Sequence, residues 1–204
     1  MEKTITKGNT EVQILNAARK VFIKKGLDGT RMQEIADEAH INKALLHYYF
    51  RSKEKLFEQI FEKALNDVFE VINRCIYEDG DIYTFIETFV THYLSLIKEN
   101  PFIPNFIFNE ITTHPERMKQ LSTQFKINVP AFRHMIEKNI NQKKITPIRP
   151  EHFMVDLLGL CIFPYVSRPL IEEIFFKEQP AETEHFLNER KQHIIFLMKK
   201  ALQA

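Results

Sequence analysis

Apolar residues recur every three or four positions along most of this chain, and that spacing favours helical structure. The stretch from residue 53 to residue 76 is typical, because its apolar positions share one face of a helix. Those positions are Leu56, Ile60, Phe61, Leu65, Val68, Phe69 and Ile72. Glycine is scarce, at 5 of 204 residues, and no stretch is convincing as a strand. We therefore predict an all-α fold of nine or ten helices.

Capping residues and prolines divide the chain into these helices. Residues with the spacing of N-terminal capping signals are Thr10–Gln13, Thr30–Gln33, Asn42 and Ser52. Gly26 is placed to end the first helix, and Pro130 is expected to kink a long one. The predicted helices are 11–25, 31–38, 43–49, 53–76, 82–98, 103–112, 116–142, 151–166, 168–177 and 181–202.

Charge is distributed unevenly along the chain. Residues 1–55 hold eleven Lys or Arg and seven Asp or Glu, so their formal charge is +4, whereas the rest of the chain carries −3. This asymmetry favours an anionic partner for the N-terminal segment alone, although a difference this small also fits ordinary variation. The sequence shows neither a signal peptide nor an uncharged apolar run of membrane-spanning length. We expect a cytoplasmic protein with no membrane partner.

The predicted helices 31–38 and 43–49, joined by the three residues 40–42, have the dimensions of a helix-turn-helix. Residues expected to face inward are Ile35, Ala36, Ala39, Ile41, Leu46 and Phe50. Residues expected on the outer face of the second helix are Lys43, Ala44, Leu45, His47 and Tyr48. So much outward hydrogen-bonding capacity suits a recognition helix in a DNA major groove. The other interpretation is an ordinary helical hairpin within a core.

Residues 14–61, "ILNAARKVFIKKGLDGTRMQEIADEAHINKALLHYYFRSKEKLFEQIF", resemble the tetracycline-repressor (TetR) family. The likeness lies in the "A…F…G…T" opening, the "IA…A" helix and the "YF.SKE.L" close. It implies a helix-turn-helix DNA-binding domain over residues 1–51 and a helical ligand-binding and dimerisation domain over residues 52–204. The implied function is a dimeric regulator, most simply a repressor, that binds a palindromic operator and is released by a small apolar or aromatic effector. Activation of transcription is the other possible outcome.

The same resemblance implies a role for each matching position. Predicted DNA-binding residues are Thr30, Arg31, Asn42, Lys43, Ala44, Leu45, His47, Tyr48, Tyr49 and Lys53. Lys43 would donate to a guanine, and Ala44 or Leu45 would pack on a thymine methyl group. Thr30 would meet a phosphate at a helix start, and Lys53 would contact the DNA backbone.

Two positions depart from the family pattern. His40 replaces the glycine that is usual in the turn, and we expect it to adopt a left-handed conformation. The family often has Tyr-Tyr-His-Phe where this chain has His47-Tyr48-Tyr49-Phe50, so the His and one Tyr are exchanged, and a phosphate contact from His47 would depend on pH. Both departures put individual DNA contacts in doubt.

The resemblance also implies a homodimer through helices 151–166 and 181–202. Their apolar stripes are Phe153, Leu157, Leu160 and Cys161 on the first helix, and Phe186, Ile194, Leu197 and Met198 on the second. The same stripes could instead face their own core. Candidate effector-binding residues are Phe85, Phe89, His92, Phe106, Asn109, Glu110, Phe132 and Phe163.

Other classes of protein fit the sequence less well. The motifs of common enzymes and of phosphate or dinucleotide binding are absent, so we expect neither an enzyme nor a cofactor. His152 and Asp156 lie one helical turn apart, which is weak as a metal site, and none is predicted. Cys75 and Cys161 lie in apolar patterns that favour reduced thiols over a disulfide or redox switch. The remaining alternative is a helical protein that binds a small molecule or partner and keeps a vestigial DNA-binding head.

Overall fold

The computed structural model describes residues 7–78, 80–116, 127–177 and 179–203 of the chain. Within these ranges the regular structure is helical and contains no strand, which confirms the predicted fold class. The chain forms two compact units, Met1–Leu65 and Asn66–Ala204, which we call the head and the body. The functional division expected between residues 51 and 52 stays a prediction.

The head consists of three helices and the first half of a fourth. They are α1 (Lys7–Lys25), α2 (Met32–Glu38), α3 (Lys43–Tyr49) and the start of α4 (Lys53–Glu78). Each contributes an apolar face to one core, where the rings of Phe22 and Phe57 meet edge to face at 5.1 Å. Ile35 and Leu46 are fully buried in that core, so the inner faces predicted for α2 and α3 are confirmed.

Both predicted capping boxes of the head are wrong. Helix α1 begins at Lys7, so Thr10 lies inside it and is buried, while the Gln13 amide donates to the Ala39 carbonyl at 2.6 Å. Helix α2 follows Arg31, whose backbone N–H donates to Glu34 Oε2 at 3.1 Å. Glu34 therefore takes the capping role predicted for Gln33, because the helix starts two residues after Thr30.

The body continues α4 and adds further helices, with bounds close to those predicted. They are α5 (Ile82–Glu99), α6 (Ile103–Thr113), α7 (Val129–Asn141), α8 (Pro150–Val166), α9 (Arg168–Ile171), a π-helical turn (Glu172–Phe176) and α10 (Pro180–Leu202). Asp81 caps α5 by accepting from the N–H groups of Tyr83 and Thr84 at 3.2 and 3.0 Å. Buried Asn139 of α7 also accepts from the Ile82 N–H, so two elements fix the start of α5.

Two predicted helices of the body need correction. The helix predicted over 116–142 is interrupted at residues 127 and 128, and its residues 117–126 lie outside the described ranges. Pro130 lies in the first turn of α7, where its missing N–H costs no hydrogen bond, so the expected kink is wrong. The helix predicted over 168–177 becomes the π-helical turn after Ile171 and ends at Lys177, with φ of 45°.

The core of the body is built on aromatic rings. Phe85 and Phe89 stack at 5.8 Å between ring centres, and Tyr93 stacks on Phe89 at 5.2 Å. Phe132 of α7 and Phe153 of α8 each lie within 6.0 Å of Phe85 and of one another. These contacts join α5, α7 and α8 over a large buried apolar area.

The helices differ in how long and how apolar they are, and these two properties decide whether a helix could cross a membrane. No single helix in the described ranges is long and apolar enough to cross a membrane, but Pro150–Val166 and Arg168–Phe176, bent by 69°, meet both criteria as a pair. Cys75 and Cys161 are both buried and form no disulfide with any described residue, and burial raises the pKa of the Cys161 thiol to about 12.

Candidate nucleic-acid interface

The outer face of α3 is an exposed surface on a short, firmly held helix. Its five outward residues are Lys43, Ala44, Leu45, His47 and Tyr48, all of them exposed. Tyr48 has 69% of its surface accessible, whereas Leu46 between them has none. This division between the two faces is the one predicted, and it leaves the outer side chains available to a partner.

The turn before α3 fixes the direction in which the helix leaves. His40 has φ of 52°, so the predicted left-handed conformation is confirmed. The Ile41 N–H then donates to the Ala36 carbonyl at 3.0 Å, and Asn42 Oδ1 accepts from the Leu45 N–H at 2.7 Å. These bonds satisfy backbone groups at the start of α3, so α2 and α3 form one rigid motif.

Aromatic and imidazole groups surround the last turn of α3. Tyr48 and Tyr49 meet edge to face with ring centres 5.4 Å apart, and Tyr49 is half-buried. The Nδ1 atom of His47 lies 3.4 Å from the Arg51 carbonyl, a long contact for a hydrogen bond. Phe50 is buried, as predicted, and anchors the end of the helix in the core.

The loop before α2 engages two residues that the sequence assigns to DNA. Thr30 is buried, and its hydroxyl donates to the Gly26 carbonyl at 2.6 Å. The Lys53 ammonium donates to the carbonyls of Leu27, Asp28 and Thr30 at 3.0, 3.3 and 3.2 Å. Sequence reasoning missed this clamp, because nothing in the pattern signals a lysine bound to carbonyls more than twenty residues away. The phosphate contacts expected of Thr30 and Lys53 stay predictions.

Two glycines explain how this loop closes so tightly. Gly26 has φ of 66°, a conformation that L side chains rarely adopt, and it ends α1 as predicted. A Cβ on Gly29 would lie 2.5 Å from the Lys25 carbonyl oxygen, so only glycine fits there. The loop is therefore compact and leaves Arg31 exposed at the start of α2.

Two of the three carboxylates of α2 are paired with lysines of α1. Glu34 lies 2.7 Å from Lys25, and Glu38 lies 2.9 Å from Lys20. The hydrogen bond from each lysine is the main reason that the pKa of its partner carboxyl is lowered. Glu34 and Glu38, two of the three acidic groups of this helix, are thus partly neutralised within the head.

The residues predicted to bind an effector are distributed over the body. Phe85, Phe89 and Phe132 belong to the aromatic core described above, and Phe106 and Glu110 are buried on α6, while Asn109 is exposed. His92 lines a polar cleft of about 360 Å³ between α4 and α5, and its buried Nδ1 has no hydrogen-bond partner. Phe163 lines a larger apolar cavity beside α8 and α10.

The predicted dimerisation helices expose a different face from the stripes chosen for them. Phe153, Leu157 and Cys161 of α8 and Ile194 and Met198 of α10 are buried in the body's own core, because both helices pack inward on that side. Leu197 of the predicted stripe is exposed, and it is one of the large apolar residues exposed on this part of the body: Val155, Phe163, Leu170, Ile174, Phe175, Phe196 and Leu197. We call this set the apolar face.

Comparison with known proteins shows which proteins this chain is similar to. Residues 14–60 match the family described as "Bacterial regulatory proteins, tetR family". The chain is 26% identical over 180 residues to the "Probable HTH-type transcriptional regulator YttP" of Bacillus subtilis, covering 86% of each chain. It is 47% identical over 53 residues to the HTH-type transcriptional repressor NicS of Pseudomonas putida, covering 26% of this chain and 25% of NicS.

A solved structure extends the likeness to the whole fold. HlyIIR, a hemolysin II transcriptional regulator, superposes with a TM-score of 0.64 at 22% identity, covering 98% of this chain and 99% of HlyIIR. The resemblance read from residues 14–61 is therefore confirmed. YttP and NicS are named as transcriptional regulators, in agreement with the expectation that this chain is not an enzyme.

Proposed function

We propose that this TetR-family transcriptional regulator, which has an N-terminal DNA-binding head, binds a palindromic operator as a homodimer and represses transcription until a small effector releases it. The outer face of α3 is the observation that carries the proposal. It presents exposed donors and small apolar groups on a helix capped at Asn42 and anchored at Leu46. A rigid helix of this kind can enter a major groove and read base edges.

The contacts follow from where each side chain lies. Lys43 is in the first turn of α3 and would donate to guanine O6 or N7, and Ala44 or Leu45 would pack on a thymine methyl group. Arg31, His47 and Tyr48 are exposed around that face and suit phosphate contacts. Asn42 and Tyr49, at the two ends of α3, would contact the phosphate backbone of the DNA. We assign Thr30 and Lys53 chiefly to holding the loop that presents Arg31.

The apolar face supports dimerisation. Helix α8 is apolar around most of its circumference, and a helix of that kind is normally covered on all sides. Its core side is buried at Leu157, yet Val155 and Phe163 keep 66% and 64% of their surface exposed. Phe196 of α10 is 63% exposed. A second copy applied to α8 and α10 would cover these side chains and bring two α3 helices to one palindrome.

Repression with release is the regulatory mode that we favour. NicS, which is 47% identical to this chain over 53 residues, is named a repressor. Release requires the effector to bind one state of the dimer more tightly than the other, by a few kcal/mol for strong induction. The proposed partner is chromosomal DNA, so the protein would act in the cytoplasm of a bacterial cell.

A gel-shift assay with DNA from the intergenic region upstream of its own gene tests the proposal. We expect binding to a palindrome whose affinity falls about tenfold or more between 50 and 200 mM salt. Lys43→Ala should weaken binding by about 1–3 kcal/mol, because it removes a base contact. Lys138→Ala removes the same charge from the body and serves as the matched control, with binding unchanged.

The assay also separates this proposal from its rival. Salt-insensitive retention, or no retention on any palindrome in that region, would favour a helical binding protein with a vestigial head. Equal losses for the two lysine variants would show that net charge, and not the α3 face, accounts for binding.

A further inference from the structure

The body contains an apolar cavity of about 550 Å³ beside the C-terminal half of α8. Its walls include Leu160, Phe163, Ile171, Phe176 and Phe186, which come from α8, the turn that follows it and α10. A volume of this size suits a small organic ligand. One charged side chain, Arg190 of α10, also lines it.

Arg190 is a cation without a counter-charge. Its Nη2 donates to the Leu160 carbonyl at 3.2 Å, and its guanidinium carbon lies 5.8 Å from the centre of the Phe186 ring. The buried Nε has no hydrogen-bond partner, and no carboxylate among the described residues forms an ion pair with this side chain. Burial lowers its pKa, so the surroundings oppose the charge.

A second arginine in the same region makes the contrast clear. Arg168, at the start of α9, lies 2.8 Å from both Glu172 and Glu184, and these carboxylates raise its pKa. Among the described residues, the arginine outside the cavity thus has two acidic partners and the arginine that lines it has none. A partly buried cation in apolar surroundings is costly unless an anion meets it.

One wall of the cavity also has unusual backbone geometry. Ile171 precedes the π-helical turn Glu172–Phe176, Phe176 is its last residue, and Lys177 follows it in a left-handed conformation. Wide turns of this type are rare and occur frequently at functional sites. Regular α-helical geometry is therefore interrupted in one wall of the apolar cavity.

We propose that this cavity binds an apolar anion, with the acidic group paired to Arg190 and the hydrocarbon or aromatic part packed against Phe163, Phe176 and Phe186. The assignment rests on the proposed function in one respect, since it names the chemical class of the effector. Charge complementarity selects this occupant over a neutral apolar molecule. Of the residues expected from the sequence to bind an effector, Phe163 is the one that lines this cavity.

Two fluorescent probes of almost the same shape test the charge requirement on the full chain. 1-Anilinonaphthalene-8-sulfonate carries an acidic group, and N-phenyl-1-naphthylamine is the same aromatic system without it. Arg190→Met keeps an unbranched apolar side chain in place of the charge. We expect this variant to lower the affinity for the sulfonate probe by about tenfold or more, because a charge-assisted pair is lost. Its affinity for the neutral probe should change by less than about twofold.

A second variant tests whether the probes occupy this cavity. Gly159 lines it, and a Cβ there meets no atom within 4 Å, so Gly159→Leu fills space without disturbing the helix. It should weaken both probes by about tenfold or more. Thermal unfolding without probe is the folding control, and Arg190→Met should unfold no earlier than the native chain because it removes an unpaired charge.

Three results would overturn the proposal. They are equal affinity of the native chain for the two probes, sulfonate binding unaffected by Arg190→Met, and unchanged binding of both probes by Gly159→Leu. Operator binding is measured separately by gel shift. Failure of the native chain to bind DNA would reject the proposed function, whereas loss of sulfonate selectivity alone would reject only the ligand class.

Discussion

The head and the body expose different kinds of side chain on the surfaces proposed to bind partners. On the outer face of α3 the side chains are polar or small, apart from Leu45, and the neighbouring loop carbonyls are satisfied by Thr30 and Lys53. On α8 and α10 the exposed residues include Phe163 and Phe196, each more than 60% accessible. The head thus suits a charged, hydrated partner such as DNA, whereas the apolar face of the body suits a second copy of the chain.

Replacing one buried leucine in each unit should give the largest effects and should show whether the head and the body lose stability separately. Leu46→Ala empties a fully buried site under α3, and we expect it to destabilise the head by about 3–5 kcal/mol. Operator binding should be lost, while sedimentation still reports the dimer. Leu157→Ala is the matched change in the body, at an equally buried position. Urea unfolding followed by circular dichroism measures both losses.

One outcome of these measurements would contradict the expectation. If Leu46→Ala dissociated the dimer as strongly as Leu157→Ala, the head and the body would not be separable in stability. The comparison between their surfaces would then describe one cooperative unit.

A charge on the apolar face should separate the copies. Phe196→Glu would place a carboxylate in the proposed dimer interface, and we expect dimerisation to weaken by about 2–3 kcal/mol, a factor of roughly 30–150. Gln192→Glu adds the same charge at an exposed polar position of α10 and provides the control. Analytical ultracentrifugation over a range of protein concentrations measures the change. Equal dissociation by both variants would point to net charge instead of the apolar face.

The difference between the units also explains how far the sequence could be interpreted. The head was predictable because its signals are local: Asn42 caps α3, Gly26 ends α1, and His40 turns between helices, as expected. The two capping boxes failed because Gln13 bonds across the fold to Ala39, and because the Thr30 hydroxyl bonds back to Gly26 in the loop before α2.

The body was less predictable because its assignments depend on which side of each helix faces inward. Phe85, Phe89 and Phe132 have the composition expected of a ligand pocket, yet packing places them in a continuous aromatic core. Arg190 gave no signal in the sequence, since a lone arginine on a helix is ordinarily solvated. Its significance comes from the walls that surround it, which are brought together by three separate segments.

Lys53 offers a sharper test of the head, with a smaller expected effect. Lys53→Met removes three hydrogen bonds from the loop that presents Arg31, and we expect the head to lose about 1–2 kcal/mol of stability. Operator affinity should fall as the loop loosens. The salt dependence of binding decides the mechanism. An unchanged slope supports a positioning role, whereas a slope lower by about one counterion would assign Lys53 a direct phosphate contact.

The smallest expected effect on stability is that of Asp81, the residue that caps α5, and its contribution depends on pH. Asp81 is partly buried, which opposes its charge, but hydrogen bonds from Thr84 and the nearby Lys144 outweigh burial and lower its pKa. A carboxyl whose pKa is lower in the folded state stabilises the protein above its ordinary pKa, near 3.9, and loses that contribution as pH falls through the folded value. Asp81→Ala should cost the body about 1 kcal/mol at pH 7.

Asp81→Asn is the informative partner of that variant, since asparagine can cap a helix without a titrating group. We expect it to keep most of the stability at pH 7 and to unfold with a weaker dependence on pH between about 2 and 5. Urea unfolding across that range measures the slope. The head has no described carboxylate that caps a helix start from the N-cap position, so its stability should be unaffected by either change. A shift of the head's transition in Asp81→Asn would show that the cap of α5 stabilises both units.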